Sequence, residues 1–515
     1  MPDEKYSEQF LLKVAKGAGI VFIGTAVGML LAYISMLIIA RFLGPEDYGL
    51  ISLASAVTTI ASTVVLVGMA EGVTRYVSFY KGRGEKEKIK GVILSSLEIV
   101  LPLAVTAAVL VFLFADEISV KFFSEPNLAS VLRVFAVSIP FFPLLRIFNR
   151  AIAGFQEIKY AVYSEHILQN LSRLLLLIFL LYMGLGIIGA AYAYVIGMIV
   201  AASASFYFLN KIFPTKGLKT APLRRELISF SWPLMFSGML GLVMGWIDTL
   251  MLGYFMTARD VGIYRASLAI ANLLKVFPAS FMSIFLPIIT EMYSRGEVEK
   301  MNEINCAVTK WILMLVLPIT ILMILFSKQV LYILYGEEYI EGAFALCILV
   351  VGRLIISIFR PTSQIIYTVG RTKLVMMNTC IGSALNVLLN FYLIPAYGIN
   401  GAAIATSVSI LTVNSLAFAE IFKIIHIQPL KFSYIKIFLA SLISIYMTYV
   451  ITKYLLKVTM IYILIAMFLF YLSVYFALLL ILRSFESEDI VVMKAIEMKT
   501  GVESEWIRKV IKKFL

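Results

Sequence analysis

The chain has 515 residues, of which 61% are hydrophobic and 15% charged, with a net charge of +13 and a mean hydropathy of +0.94. Ordinary soluble domains are about 45–50% apolar and about 25% charged, so a soluble globular enzyme, a disordered chain and a fibrous one are excluded, and lipid must solvate much of the surface. Cys306, Cys347 and Cys380 stand far apart in or beside apolar stretches, and with only two histidines no metal-binding pattern forms, so no cofactor is expected.

A membrane crossing needs about 20 mostly apolar residues. Fourteen are expected in chain order, at 17–40, 50–70, 91–114, 131–150, 161–183, 187–209, 229–253, 266–289, 307–326, 343–359, 374–395, 401–422, 434–455 and 460–482. Arg133 and Arg353 interrupt the fourth and tenth. The first is too long for a cleaved signal peptide, lacks a small-residue cleavage site and leads straight into further spans. Lys and Arg concentrate on the cytoplasmic side of membrane proteins. With the N-terminus inside, and with Arg146, Arg150 and Lys453 at span ends counted with the loops they border, 31 of the 44 basic residues fall on the inner side and 7 on the outer, while Arg133, Arg173, Lys275, Lys310, Arg353 and Lys436 lie within spans. The expectation is a multi-pass protein of the cell membrane with both termini cytoplasmic. Topology alone accounts for the basic balance, without a nucleic-acid partner, and the loop Lys81–Lys90 would lie against anionic lipid headgroups. In the tail, Ile496, Trp506, Val510 and Ile511 alternate with Lys499, Arg508, Lys509, Lys512 and Lys513, which reads as amphipathic helix at the inner surface, against a merely solvated tail.

Two motifs recur at nearly the same interval. Gly186-Ile-Ile-Gly-Ala-Ala-Tyr-Ala193 returns, shifted by 212, as Gly398-Ile-Asn-Gly-Ala-Ala-Ile-Ala405, and Phe42-Leu-Gly-Pro-Glu-Asp-Tyr-Gly49 returns, shifted by 213, as Phe255-Met-Thr-Ala-Arg-Asp-Val-Gly262. The interval equals six spans, an even number, so both copies insert the same way up, about an axis along the membrane normal. The expected fold is an all-α polytopic bundle of about fourteen helices, in two six-helix lobes plus two extra helices. It divides into an N-lobe (1–209), a cytoplasmic linker (210–226), a C-lobe (227–425), spans 13–14 (426–482) and a cytoplasmic tail (483–515). Two like-oriented lobes around a cleft suit an alternating-access carrier rather than an enzyme or a simple channel. Each Phe-to-Gly copy joins two spans by a tight turn. Asp47 and Asp260 are placed to cap the next helix, and turn chemistry is the plain reading of both motifs.

Ala40-Arg41-Phe-Leu-Gly44-Pro-Glu-Asp-Tyr-Gly49 resembles the signature of polysaccharide-export flippases, within the multidrug/oligosaccharidyl-lipid/polysaccharide exporter superfamily. Glu71-Gly-Val-Thr-Arg75-Tyr76, Asp248-Thr-Leu-Met-Leu-Gly253, Val261-Gly-Ile-Tyr264-Arg-Ala266, Tyr335-Gly-Glu-Glu-Tyr339 and Gly370-Arg-Thr-Lys373 are similar to further motifs of that family, so the likeness spans residues 10–482. It implies transport of an undecaprenyl- or dolichyl-linked saccharide from the cytoplasmic to the outer leaflet, for surface polysaccharide or glycan synthesis. The headgroup would pass between the lobes and the polyprenyl tail would stay in lipid. Implied partners are the lipid-linked saccharide, membrane lipids, glycosyltransferases or a polymerase of the same pathway, and a coupling Na+ or H+.

Charge at mid-bilayer is costly and faces a wet cavity or a partner. Lys275 lies about nine residues into its span, about 14 Å deep at 1.5 Å per residue. Arg173 and Arg353 are at similar depth, and Asp248 is in the seventh span. Together with Arg75 and Arg41 these are the candidate cavity residues. In the functional reading they make a cationic lumen for a diphosphate. In the structural one, Arg173 pairs with Glu98 or Glu165, and Arg41 and Arg75 snorkel from span ends. Pro102, Pro140, Pro143, Pro233, Pro278, Pro287 and Pro318 are expected to kink their helices, and a bend at Pro278 would aim Lys275. A cation-coupled multidrug exporter of the same superfamily would favour an acidic lumen, and Asp248 keeps that alternative open. A membrane glycosyltransferase or polymerase would need paired carboxylates in a sizeable outer region, and Asp116-Glu117 stands in a short loop. No Gly-Lys-Ser/Thr nucleotide loop is present.

Overall fold

The computed structural model describes residues 2–428, 431, 434–455, 461–482 and 484, all of them helical or irregular, with no strand among them. The chain divides into two compact units, Met1–Arg265 and Ala266–Leu515. The expected tail helix at 483–515 lies outside the described residues, Ser484 excepted.

The first unit opens with α1 (Pro2–Val65), which is interrupted at Gly44 (φ 86°, ψ 176°). Its apolar part, Ile23–Val65, has 43 residues, about twice what one crossing needs. Gly44 therefore separates spans 1 and 2, and Pro45 starts the second, where a missing N–H costs nothing. Next come α2 (Met69–Gly82), α3 (Lys86–Leu113) and α4 (Ala115–Glu117), with a π-helical turn at Ile118–Phe122. After them stand α5 (Leu128–Ala136), α6 (Phe141–Gly154) and α7 (Ile158–Val162), with a second π-helical turn at Tyr163–Leu168. The unit continues through α8 (Gln169–Tyr182), α9 (Gly186–Ile212) and α10 (Arg224–Phe255), and its border falls within α11 (Ala258–Leu273). Val73 and Val77 of α2, Val92 of α3 and Ile147 and Ile152 of α6 bury its core. The basic linker lies along α3: Lys90 Nζ donates to Leu218 O at 2.7 Å and Leu223 N to Ser95 Oγ at 3.1 Å.

The second unit holds α12 (Val276–Ser294), α13 (Val298–Leu325), α14 (Ser327–Tyr335), a 3-10 turn at Glu337–Gly342, α15 (Ala343–Thr368), α16 (Thr372–Ile425), α17 (Tyr434–Leu455) and α18 (Ile461–Ile481). Gly398 (φ 55°, ψ −133°) interrupts α16 as Gly44 does α1, separating spans 11 and 12. Spans 13 and 14 dock on α13: Tyr475 Oη donates to Met314 O at 3.1 Å, and Leu322 and Phe326 pack on Met467 and Tyr471.

Ten helical stretches among the described residues are long and apolar enough to cross a membrane. Two of them carry two spans each, and α10 and α18 supply the others, so among the described residues each of the fourteen expected spans is mainly helical. The repeat is also written in the backbone. The start and the end of α13 are offset from those of α3 by the same interval that separates the two Gly-Ala-Ala copies. Each helix is entered through a left-handed glycine, Gly84 at φ 72° and Gly296 at φ 73°. The same closing bonds accompany them, Glu85 N to Tyr80 O at 3.0 Å and Glu297 N to Met292 O at 3.1 Å.

Two expected spans are not single helices. The fourth breaks at 137–140, where Pro140 and Pro143 remove ladder donors three residues apart. The eighth breaks at 274–275, because Pro278 cannot donate to the Leu274 carbonyl. Helix continues past Pro102, Pro287 and Pro318.

Candidate functional site

In the first unit Arg173, on α8, lays its guanidinium over the Tyr194 ring at 4.9 Å. Tyr194 stacks in turn on Phe135 of α5 at 4.7 Å, and Tyr48 of α1 lies within electrostatic reach of Arg173. The expected pairing of Arg173 with Glu98 or Glu165 is replaced by others. Glu98 pairs with Arg224 at 2.7 Å, and Glu165 with Arg146 at 2.8 Å. The π-helical turn Tyr163–Leu168 widens the helix by one residue and rotates the downstream helix about its axis, and Glu165 sits within it, beside α6. There Asn149, buried in α6, donates to Glu165 Oε2 at 3.0 Å and accepts from Ser164 at 2.9 Å and Ser205 at 2.7 Å. Arg146, Asn149, Ser164, Glu165 and Ser205 thus tie α6, the π-helical turn and α9 together.

Asp248 is 2% exposed, accepts the Tyr264 hydroxyl on Oδ2 and takes the Thr249 amide on Oδ1 at 2.8 Å. Arg75 is exposed and stacks on Phe230 of α10 at 4.3 Å, and Arg41 is exposed beside the Gly44 turn. The cap of α11 falls to Thr257 rather than Asp260. Asp260 accepts the Thr257 hydroxyl at 2.7 Å and the Thr257 amide at 3.2 Å, while the Asp260 amide donates back to Thr257 Oγ1 at 3.3 Å. This is the reciprocal capping box, in which the carboxylate stands three residues inside the helix.

In the second unit two candidates come together. Lys275 occupies the break between α11 and α12, its amide donating to Asn272 O at 3.1 Å, and its side chain is exposed. Arg353 is 8% exposed on α15, and its Nη2 donates to Asn272 Oδ1 at 2.8 Å. Asn272 thus anchors both the turn that presents Lys275 and the guanidinium of Arg353. Two further cations stand outside the candidate set. Lys310 is 1% exposed on α13. Arg265, which span counting assigns to the outer loops, is half-buried with its guanidinium 4.5 Å from the Trp246 ring. Its place directly after Tyr264 in the Val261–Ala266 motif is the available signal. Among the described residues, no group of three or more His, Cys, Asp or Glu side chains could hold a metal ion.

A helical bundle with an internal six-span repeat and mid-span cations defines a multi-pass transporter of the multidrug/oligosaccharidyl-lipid/polysaccharide exporter class. The family model described as polysaccharide biosynthesis protein matches residues 14–293, more than half of the chain, and the chain belongs to that family. The MatE model matches residues 233–392. Among relatives, the chain is 23% identical to a putative O-antigen transporter of Shigella flexneri, over 75% of this chain and 93% of that one. It is 21% identical to the lipid II flippase MurJ of Bacillus subtilis, over 77% of this chain and 80% of that one. The solved structure of lipid II flippase MurJ in an inward closed conformation is similar with a TM-score of 0.73 at 17% identity, covering 89% of this chain and 97% of that one. The two-lobe transporter fold is common to both.

Proposed function

We propose that the chain is a flippase that moves a polyprenyl-phosphate- or diphosphate-linked oligosaccharide from the cytoplasmic to the outer leaflet, serving surface polysaccharide or glycan synthesis. It is a carrier and makes or breaks no covalent bond. Both termini lie in the cytoplasm, as the skew of Lys and Arg between loops supports. Glycosyltransferases of the same pathway supply its substrate, and Na+ or H+ is the candidate coupling ion.

The observation that carries this reading is Lys275. An exposed ammonium at a proline-induced helix break, near the middle of a membrane-length segment, is retained only where water or an anion meets it. Arg353 and Asn272 hold that break in place. Arg173, Arg75, Arg41 and Asp248 complete the proposed set, the first three as further phosphate-attracting charges. Asp248, held by Tyr264 and Thr249, instead suits a fixed polar anchor. The MatE match and this buried carboxylate favour a second reading, a cation-coupled multidrug exporter.

Ligand-dependent melting of the purified protein separates the two. A short-chain polyprenyl diphosphate, at 100 times its dissociation constant, is expected to stabilise the protein by about 2.7 kcal/mol, and a lipophilic cationic dye at the same concentration by much less. The reverse order supports the exporter.

A further inference from the structure

The two copies of the Phe-to-Gly motif meet face to face. Both Gly49 and Gly262 belong to the first unit, and each closes its copy of the motif. A Cβ placed on Gly49 would overlap the Ala258 carbonyl oxygen and stand 3.1 Å from the Gly262 nitrogen. One placed on Gly262 would overlap the Pro45 carbonyl oxygen and stand 3.1 Å from the Gly49 nitrogen. Pro45 and Ala258 each stand four places before the glycine of their own copy, so the contact is reciprocal. Each glycine turns a Cα–H toward the carbonyl of the other copy. Such contacts recur at helix–helix interfaces, and they let two helix starts approach backbone to backbone as small residues do in membranes.

The surroundings hold these two turns rigid. Thr257 and Asp260 close their capping box at the start of α11. The Ala258 amide donates to Glu125 Oε1 at 2.7 Å. Pro45 at the matching place has no N–H and needs no such acceptor. Tyr48, next to Gly49, is fully buried.

We propose that Gly49 and Gly262 form a backbone latch, closed in this structure, that joins the two copies of the repeat and must part whenever this end of the carrier opens. Side chains larger than hydrogen at either position hold it ajar, and Glu125 steadies it from the α11 side. The alternating cycle in which the latch acts rests on the transport reading above. Its closure is a property of the protein alone.

The test places spin labels at Glu46→Cys and Arg259→Cys, the residues directly after Pro45 and Ala258, with Cys306, Cys347 and Cys380 replaced by serine. The parent protein in nanodiscs, without substrate, is expected to give a predominantly short distance. Gly49→Ala and Gly262→Ala are each expected to move most of the population to a longer one, and Glu125→Ala to move a smaller part. Gly253→Ala is the packing control, since the atoms nearest its new methyl belong to the Leu53 and Phe123 side chains rather than to backbone. It should keep the short distance. Short distances in both latch variants, or an equal shift in Gly253→Ala, overturn the proposal. If the latch-glycine variants do not fold, an unchanged distance in Glu125→Ala overturns it. A failed transport reading would appear instead as absent lipid translocation, with these distances unaltered.

Discussion

Lys275→Ala is expected to abolish most headgroup translocation while leaving the amount of folded protein unchanged. The side chain is exposed at the α11–α12 break, so its removal opens no cavity. Its amide bond to Asn272 belongs to the backbone and survives the substitution. The functional loss is a charge-assisted contact to phosphate, worth about 1.5–3 kcal/mol. At about 1.4 kcal/mol per factor of ten, that is roughly a 10- to 100-fold loss in headgroup affinity. Lys275→Arg should recover much of the activity, because it keeps the charge at nearly the same reach. Arg173→Ala should also lower transport, with a different control. Its guanidinium stacks on Tyr194, so Arg173→Lys keeps the charge but loses the planar contact and should recover only part. Initial rates in vesicles loaded with labelled lipid-linked saccharide check both. Full activity in Lys275→Ala and Arg173→Ala removes the cationic lumen from the account.

The largest expected stability effect is that of Asn149→Leu. Asn149 is buried, and its amide is the hub of the network joining Glu165, Ser164 and Ser205. Leucine fills a similar volume, so the cost comes from groups left without partners rather than from a void. Ser164 retains the Tyr160 carbonyl at 3.0 Å as a local acceptor and suffers least. Ser205 and one oxygen of Glu165 lose their Asn149 partner. A buried polar group left unsatisfied costs about 1–3 kcal/mol, and Glu165 is partly exposed and keeps Arg146, so a loss of about 1–3 kcal/mol, mainly at Ser205, is expected. Thermal melting in detergent reads it directly. A melting temperature indistinguishable from that of the parent would mean that the network does not hold α6 to α9.

The large features of this fold are legible in the sequence because they are dictated by solvent. Fourteen apolar stretches have to become helix, since lipid offers no partner to a free backbone amide. The long repeat interval is readable because each copy reuses the same turn glycines, as Gly186 and Gly398 show with φ of 50° and 55°. The finer geometry is not legible. Hydropathy does not register a π-helical turn, so Glu165 reads as a partner for Arg173 when the widened turn at Tyr163–Leu168 sets it beside Arg146 instead. Asp260 lies two residues before a glycine and reads as a cap, but the capping box with Thr257 has the same composition with the roles exchanged. Seven span prolines look alike in sequence. Helix breaks at 137–140, where two prolines lie close together, and at 274–275, whereas it continues past Pro102 and Pro318. Span counting treats hairpin ends as solvent and so passes over Arg265, whereas in the folded unit Trp246 covers it.

The decisive measurement is the leaflet distribution of a fluorescent polyprenyl-diphosphate oligosaccharide in vesicles containing the purified protein, monitored with a membrane-impermeant quencher. The account predicts that added protein makes the inner-leaflet pool accessible to the quencher far faster than in protein-free vesicles, without ATP and without chemical change to the lipid. A rate equal to that of protein-free vesicles, in a preparation that still exports cationic dyes, would contradict it.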